Sequence, residues 1–318
     1  MTDEAGEEPD PEQIFEVDRQ HKGLSLFDFL DAVAGPLDRK ALVSAARAQQ
    51  VLLNGEPALA GCTLREGDLV QIEIARAELR RGLPPTLELL YRDAELVVAD
   101  KPSGLPFGES RHGGASTVER LAAQVPGARV LHRLDKDTSG VVPAALSSAA
   151  EQRLAAELRE GRLRVEYLAV ARGTPDEDAG RVDVPLARRR RADTRLTPDP
   201  DHGDPCATGW RVEERLRGFV VLRAVPEGKG NSHQVRAHLA AAGLTVLCDA
   251  LYGEDDRLLL SQLKLEYRGK RGRPERPLLA RPALHAERVV RGDLSVPAPL
   301  PGDLSVLLAQ LRRLRRLA

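Results

Sequence analysis

The segment HRLDKDTSG, residues 132–140, most constrains the fold, because it places charged side chains between two apolar pairs. Val130–Leu131 precede the segment and Val141–Val142 follow it. Apolar runs of this kind are typical of buried strands, whereas Thr138 and Gly140 belong to the residue types that favour turns. The pattern therefore predicts a polar loop that leaves the core and returns to it at once.

Composition places the chain among soluble globular proteins. It has 318 residues, of which 42% are hydrophobic and 30% charged, which suits one large domain and one small domain. No stretch approaches the roughly 20 apolar residues that span a bilayer, and the acidic start is no signal peptide. Three cysteines without a CxxC pair argue against a disulfide framework and against a zinc site. We therefore expect a cytoplasmic protein without a membrane or metal partner.

Composition shifts along the chain predict four parts. Residues 1–15 form an acidic, disordered tail, and residues 16–76 form a small module of two helices and a hairpin. Residues 77–86 form a charged, Pro-rich linker, and residues 87–318 form a large domain. In the small module Asn54–Gly55 is the hairpin signal, because both turn positions require a positive φ.

Capping signals locate the helices. Ser25 with Asp28 suits a helix start, and Ser116 with Glu119 makes a capping box for a helix near 117–124. Ser148 with Glu151 predicts a second capping box. A last helix is expected from about 303, with its leucines along one side.

Several common chemistries find no support in the sequence. His233 and His238 are five apart, so they cannot form the i,i+4 pair of a zinc peptidase helix. EGKGNS lacks the second Gly and the Lys-Ser/Thr of a P-loop, and no G-x-S-x-G indicates a serine hydrolase. DPDHGDPCATG is interpreted as a polar loop rather than a site.

Asp135 has two interpretations on the residues alone. It can belong to a solvated turn, or it can be a reactive carboxylate kept ionised by an arginine. Arg133 lies two positions away, which in an extended segment puts both side chains on one side. A hydrolase that uses two carboxylates is disfavoured, since no second acid is paired with Asp135.

The small module resembles the RNA-binding domain shared by ribosomal protein S-four, tyrosyl-tRNA synthetases and several RNA-modifying enzymes. The resemblance rests on two helices followed by VLLNGEPA and LREGDLVQI. It implies that Arg39, Lys40 and Arg47 face structured RNA. The sequence departs from that family at Gln49, where Gly is usual, and in LFDFL, where an RLD is expected.

The large domain resembles the RluA family of pseudouridine synthases. HRLDKDTSG matches the family pattern H-R-L-D-x-x-T-S-G at every fixed position. Four further segments follow the family order, namely LLYRDAELVVADKPSGLP, RVEYLAV, GNSHQVRAHLAAAG with VLCDALYG, and ALHAERVV. The chain departs from the family at Asn231, where Arg is usual, and at Pro143, which interrupts an apolar strand.

The resemblance implies an α+β fold in which a mixed, mainly antiparallel sheet with flanking helices carries the cleft. Asp135 is implied as the catalytic carboxylate, Arg236 as its partner, and Tyr167 as the group against the uracil. Arg133 is implied to face the RNA where a nucleotide flips out. His132, His233 and His285 are expected to be structural, and Lys101 and Pro102 to shape the cleft rim.

The reaction implied is the isomerisation of uridine to pseudouridine within RNA, which requires no cofactor and no metal. Large-subunit ribosomal RNA is the first candidate substrate and tRNA is the second. A non-catalytic RNA-binding or ribosome-assembly factor is the alternative from another class. We expect a monomer.

Overall fold

The computed structural model describes residues 14–34, 42–43, 45–46, 50–59, 61–72, 86–108, 116–188, 195–228, 233–264, 267, 275 and 277–315. The chain forms two compact units, residues 1–85 and 86–318. Within the described ranges, no helix is both long enough and apolar enough to cross a membrane.

The first unit contains a four-stranded antiparallel sheet and a helix. In chain order its elements are β1 (Ile14–Glu16), α1 (Leu26–Ala34), β2 (Val51–Leu53), β3 (Glu56–Pro57) and β4 (Leu69–Ile72). The strand order is β1-β4-β2-β3. Residues 42–43 and 45–46 are also helical.

Local signals in the first unit act as predicted. The amide of Asp28 donates to the hydroxyl of Ser25 at 3.2 Å, which caps α1, and the α1 side chain of Phe29 is fully buried. Asn54 and Gly55 both have positive φ angles, 53° and 82°, which places the predicted turn between β2 and β3.

The second unit contains an eleven-stranded sheet, a two-stranded hairpin and helices. Its strands are β5 (Glu88–Arg92), β6 (Leu96–Lys101), β7 (Arg129–Val130), β8 (Ser139–Ala145), β9 (Leu163–Arg172), β10 (Ala179–Asp183), β11 (Leu186–Arg188), β12 (Leu196–Pro198), β13 (Cys206–Leu216), β14 (Phe219–Gly228), β15 (Thr245–Val246), β16 (Leu284–Arg291) and β17 (Leu294–Pro297). Its helices are α2 (Thr117–Gln124), α3 (Ser148–Arg159), α4 (Gln234–Ala241), α5 (Leu260–Leu263) and α6 (Gly302–Arg315).

The large sheet has the order β10-β13-β14-β9-β16-β8-β6-β5, and β7, β15 and β17 pair at its sides. Its named pairs are antiparallel except β16 with β8, which is parallel. The sheet and its helices share one core, to which α3 contributes Leu154 and α6 contributes Leu307. The predicted α+β class with a mixed, mainly antiparallel sheet and flanking helices is confirmed.

Strands β8 and β16 approach each other closely at Gly140, where the segment HRLDKDTSG ends. Gly140 pairs with Ala286 at φ 118°, and a side chain there would overlap the carbonyl oxygen of Ala286. Only glycine fits both the backbone angle and the space. The last residue of HRLDKDTSG therefore anchors the loop to β16.

Two local expectations require correction. The cap of α3 is Ser147, whose hydroxyl accepts from the amide of Ala150 at 3.1 Å, so the predicted box starting at Ser148 is one residue late. Pro143 lies buried inside β8. The carbonyl of Pro143 accepts from the amide of Leu131, so this edge of the residue faces away from β6. The missing N–H of Pro143 lies on the same edge, although its register partner is Val98 of β6. The proline removes no β6–β8 hydrogen bond.

Candidate active site

The side chain of Lys101 binds the backbone of the loop between β7 and β8, residues 131–138. The ammonium of Lys101 is fully buried and donates to the carbonyls of Lys136 and Thr138 at 2.7 Å and of Pro102 at 3.0 Å. Three acceptors match the three N–H bonds of an ammonium group. Burial lowers the pKa of Lys101 to about 7, and the charges of Asp137 and Asp135 oppose that shift.

Other groups donate hydrogen bonds to the carbonyls of Lys136 and Asp137 in this loop. The hydroxyl of Ser103 donates to the carbonyl of Asp137 at 2.9 Å, and the amide of Gly104 donates to that of Lys136 at 2.9 Å. Arg281, from the segment before β16, donates to the carbonyl of Asp137 at 3.3 Å. The loop is therefore fixed through its backbone, which leaves its side chains available to the cleft.

Asp135 projects from this loop towards α4. Its Oδ2 accepts from Nη1 of Arg236 at 2.8 Å, and its Oδ1 lies 3.6 Å from Nε2 of His233. Only 11% of the Asp135 side chain is exposed. A single carboxylate is thus held in one orientation by a guanidinium, at a charge-assisted distance.

Arg236 is held in turn by Asp249, which is fully buried. The Nε and Nη2 atoms of Arg236 donate to the two carboxylate oxygens of Asp249 at 2.6 and 2.5 Å. Burial opposes the charge on Arg236, but Asp249 and Asp135 outweigh it and raise the pKa of Arg236. The ring of Tyr252 lies under the guanidinium, 5.2 Å from its central carbon. One cation therefore joins two carboxylates from distant segments.

Tyr167 enters the same cleft from β9 and pairs with His132. The phenol oxygen lies 2.5 Å from Nε2 of His132, and the two rings meet edge to face. Burial lowers the pKa of His132 to about 4. Burial, followed by the charge of Asp135, raises the pKa of Tyr167. Both groups are therefore neutral near pH 7, and the hydrogen bond between them orients the phenol.

These side chains line one open cleft of about 300 Å³. Its polar lining includes His132, Arg133, Asp135, Tyr167, His233 and Arg236. Arg133 is exposed, and its guanidinium lies over the ring of Phe107 at 5.7 Å. The cleft thus combines one fixed carboxylate, one neutral phenol and a cation at the surface.

The predicted polar loop DPDHGDPCATG covers residues 199–209, but its last four residues, from Cys206, belong to β13. The part before β13 contains carboxylates close to a histidine. Ligand atoms of Asp199, Asp201 and His202 lie within 4.8 Å of one another. Oδ1 of Asp199 already accepts from the amides of both other residues, which is the geometry of an ordinary Asx turn. We assign it no metal.

The sequence and the fold of the chain are similar to those of known proteins. The family model described as RNA pseudouridylate synthase matches residues 95–241, which include Asp135, Tyr167 and Arg236. Ribosomal large subunit pseudouridine synthase D of Xanthomonas campestris is 33% identical over 309 residues, with 89% of this chain and 88% of that protein covered. The chain belongs to the RNA pseudouridylate synthase family.

Further similar proteins cover between 70% and 94% of this synthase. Ribosomal large subunit pseudouridine synthase C of Haemophilus ducreyi is 28% identical, with 94% of this chain and 96% of that protein covered. The human RNA pseudouridylate synthase domain containing 1 has a TM-score of 0.51 at 26% identity, over 70% of this chain and 87% of the human chain. The human RNA pseudouridylate synthase domain containing 4 is 23% identical and shares the fold, with a TM-score of 0.55. The synthase is therefore an isomerase that acts on RNA.

The structure brings four of the predicted site residues of the synthase together. Asp135, Tyr167, Arg236 and Arg133 line the same cleft. Arg39, Lys40 and Arg47 lie outside the described residues, as does Asn231. The expectation that Lys101 shapes the rim was wrong, because its side chain is buried beneath the loop.

Sequence reasoning missed two residues that support Arg236. Asp249 is a lone carboxylate inside the apolar run TVLCDAL, and such a charge is buried at a cost unless a cation pairs with it. That pattern could have identified Asp249 as a partner. Tyr252 carried no comparable signal, because its contact with Arg236 depends on the turn that follows Asp249.

Proposed function

We propose that this synthase converts specific uridines of large-subunit ribosomal RNA to pseudouridine, with Asp135 as its catalytic carboxylate. The observation that carries the proposal is the orientation of Asp135 by Arg236 at 2.8 Å inside the cleft that Tyr167 lines. Relatives named as ribosomal large subunit synthases support the choice of RNA. tRNA is the second candidate.

The reaction breaks the bond from ribose C1′ to uracil N1 and forms a bond from C1′ to C5. The proton on C5 is lost and N1 gains one, so no atom or electron is gained overall. Asp135 faces the nucleotide in every version of the first step, whether it adds to the sugar, adds to the base or removes a ribose proton. Buried apolar neighbours such as Leu284 exclude water while the base is detached.

The remaining site residues have separate tasks in this proposal. Arg236 orients Asp135 and is itself fixed by Asp249. Tyr167 packs against the uracil and carries the late proton transfer with its phenol, whose direction is set by His132. Arg133 occupies the space that the flipped nucleotide leaves in the RNA.

The first unit is proposed as an S-four-type RNA-binding domain over residues 16–76, joined by a linker at 77–86 to the catalytic domain at 87–318. Two observations support it, namely α1 packed on a small antiparallel sheet and the Asn54–Gly55 turn. Basic residues of this module would bind phosphates, which position an RNA without specifying its sequence.

The test uses a strain lacking the gene and two variants from one loop. Pseudouridines are mapped in ribosomal RNA and tRNA after complementation with wild type, Asp135→Asn or Asp137→Asn. Asp137 is the matched control, because it is an exposed carboxylate two residues away. We expect one or more large-subunit sites to vanish on deletion and to return with D137N but not with D135N. Sites lost only from tRNA would overturn the substrate, and full restoration by D135N would overturn the catalytic role.

A further inference from the structure

The hairpin of β11 and β12 lies against the helix that carries Arg236. Leu186 and Leu196 of the hairpin are buried with Cys206 and with Ala237 of α4. The ring of Tyr252 packs on the same small cluster. The hairpin therefore has a fixed position against α4, at the residue that follows Arg236.

Arg188 lies on the hairpin face that turns towards α4. It is the register partner of Leu196, and directly opposed residues of a ladder share a face. Leu196 is buried on that face, whereas Arg188, at the end of β11, remains exposed. Burial lowers the pKa of His233, Asp135 acts against that shift, and the charges of Arg236 and Arg188 add to it. The strand register and the packing of Leu196 on Ala237 therefore place Arg188 on the side of the hairpin that faces α4.

Arg195 contacts Tyr252, whose ring also lies against Arg236. Its guanidinium lies over that ring at 5.4 Å, and the amide of Leu196 donates to the phenol oxygen at 2.7 Å. The same ring lies 5.2 Å from the guanidinium carbon of Arg236, and its phenol oxygen lies 3.5 Å from Nδ1 of His233. Two contacts of one ring therefore fix the position of Arg195 relative to the Asp135 site.

Neither Arg188 nor Arg195 forms an ion pair with a carboxylate of the described residues, which leave out residues 189–194 between the two arginines. Two other exposed arginines of this domain are neutralised, since Arg181 pairs with Glu227 at 2.6 Å and Arg211 pairs with Glu213 at 2.9 Å. A pair of guanidinium groups next to a cleft suits a phosphodiester, which accepts hydrogen bonds from planar donors.

We propose that Arg188 and Arg195 form a phosphate-binding subsite for the RNA strand that delivers its uridine to Asp135. The inference rests on the proposed function, because it assumes that a nucleotide enters the cleft. A nucleotide held there keeps its two phosphates attached, and these must lie at the cleft mouth. Arg133 comes from the loop before β8, so the hairpin arginines supply a second, separate contact with the backbone.

The test measures RNA affinity against salt for the full chain with Arg188→Gln and Arg195→Gln combined. Each phosphate contact contributes about 0.7 to the slope of log affinity against log salt for single-stranded RNA. Loss of two contacts therefore lowers the slope by about 1.4, and affinity at low salt falls roughly tenfold to a hundredfold. The matched control is R181Q with R211Q, which removes two exposed arginines that carboxylates already neutralise. R188K with R195K keeps both charges and is expected to keep the slope.

The outcomes separate this subsite from the proposed function. An unchanged slope in a double Gln variant that unfolds at the wild-type temperature overturns the subsite. An unchanged affinity with a lower kcat also overturns it, because the arginines would then act on Arg236 through Tyr252. If the double Gln variant lowers the slope but the wild-type protein makes no pseudouridine in any RNA, the phosphate-binding subsite stands and the proposed function is overturned. The single variant R188Q, which disturbs no ring contact, keeps the test decisive if the double variant unfolds.

Discussion

Arg236 donates to Asp135 at 2.8 Å although 101 positions separate the two residues along the chain. The other donors of the same guanidinium meet both oxygens of Asp249. A planar group with several donors can serve two carboxylates in this way, whereas an ammonium is a point charge. The orientation of the proposed catalytic carboxylate therefore depends on the shape of arginine as well as on its charge.

Replacing Arg236 by Lys is expected to keep a positive charge and lose the geometry. We expect kcat to fall about a hundredfold, since a displacement of about 1 Å at a reacting group can cost that much. The measurement is single-turnover pseudouridine formation at saturating RNA. R291K is the control, because Arg291 holds both oxygens of Glu157 away from the cleft. A rate for R236K within twofold of wild type would contradict the prediction.

The buried ammonium of Lys101 offers a second test. Lys101→Met has a similar length but removes the ammonium that donates to three carbonyls, of which that of Lys136 keeps the amide of Gly104 as a donor. We expect the free energy of unfolding to fall by about 2–4 kcal/mol, because unsatisfied buried polar groups cost about 1–3 kcal/mol each and relaxation recovers part of it. Urea unfolding followed by circular dichroism measures it. K136M, an exposed lysine of the same loop, is expected to stay within about 0.5 kcal/mol of wild type; equal losses in both variants would refute the account.

The Tyr167–His132 pair predicts different effects for its two members. Tyr167→Phe removes the phenol that the proposal uses for proton transfer, so we expect kcat to fall by about 10²–10⁴ with little change in RNA affinity. His132→Gln keeps a polar partner near the phenol and is expected to lose much less. Pre-steady-state rates and RNA affinity together test this. Equal losses in kcat for the two variants would show that the pair acts only in packing.

Gly140 tests whether the loop depends on the close approach of β8 and β16. Gly140→Ala adds a methyl group that overlaps the carbonyl of Ala286, at a backbone angle that alanine rarely adopts. We expect a loss of more than about 3 kcal/mol in stability or failure to fold. G127A is the matched control, because Gly127 has φ 81° with open space around it. That variant isolates the backbone strain, for which about 1–2 kcal/mol is expected. The prediction fails if G140A is no less stable than G127A.

Asp100 gives a pH dependence of stability with a defined sign. Burial and the opposing Glu88 raise the pKa of Asp100 to about 6, although Lys101 acts against the shift. Because the ordinary pKa of an aspartate is near 4, between about pH 4 and pH 6 the folded chain keeps a proton on Asp100 that the unfolded chain has lost. The contribution of Asp100 to the free energy of unfolding is therefore fully present below about pH 4 and is lost as the pH rises through about 6.

Asp100→Asn removes this dependence. We expect the variant to be more stable than wild type at pH 7.5, by on the order of 1–2 kcal/mol after solvent screening, and to lose that advantage near pH 4. Denaturant unfolding at both pH values measures the difference. D176N, at an exposed carboxyl, should show no such change with pH. A constant gap between D100N and wild type across this range would contradict the assignment.

Local structure could be predicted because it depends on short stretches of chain, whereas the chemistry was predicted from the resemblance of five ordered segments to a known family. The Asn54–Gly55 turn, the capping box of α2 and the polar loop after β7 all follow from the conformational preferences of neighbouring residues. The motif around Asp135 likewise indicated where a carboxylate would react, and the relatives agree on the family.

Errors occurred where distant groups decide the outcome. Lys101 is a charged residue that a local interpretation places at the surface, yet it is buried because carbonyls 35 and 37 positions away accept its hydrogen bonds. Pro143 conflicts with a central strand on local grounds, but its missing N–H faces the side of Leu131 rather than β6, so the β6–β8 pairing keeps its hydrogen bonds.

The sequence by itself determined the loop, its Asp135 and the strands on either side, since these depend on side-chain periodicity and turn chemistry. The family resemblance implied Arg236 as the partner of Asp135, and only the tertiary structure decided what holds Arg236 in place. Asp249 and Tyr252 fix Arg236, and the β11–β12 hairpin joins them through Leu196. Ion pairs and ring contacts between remote segments form only after the sheet has closed the loops between them, so no local pattern encodes which partners meet.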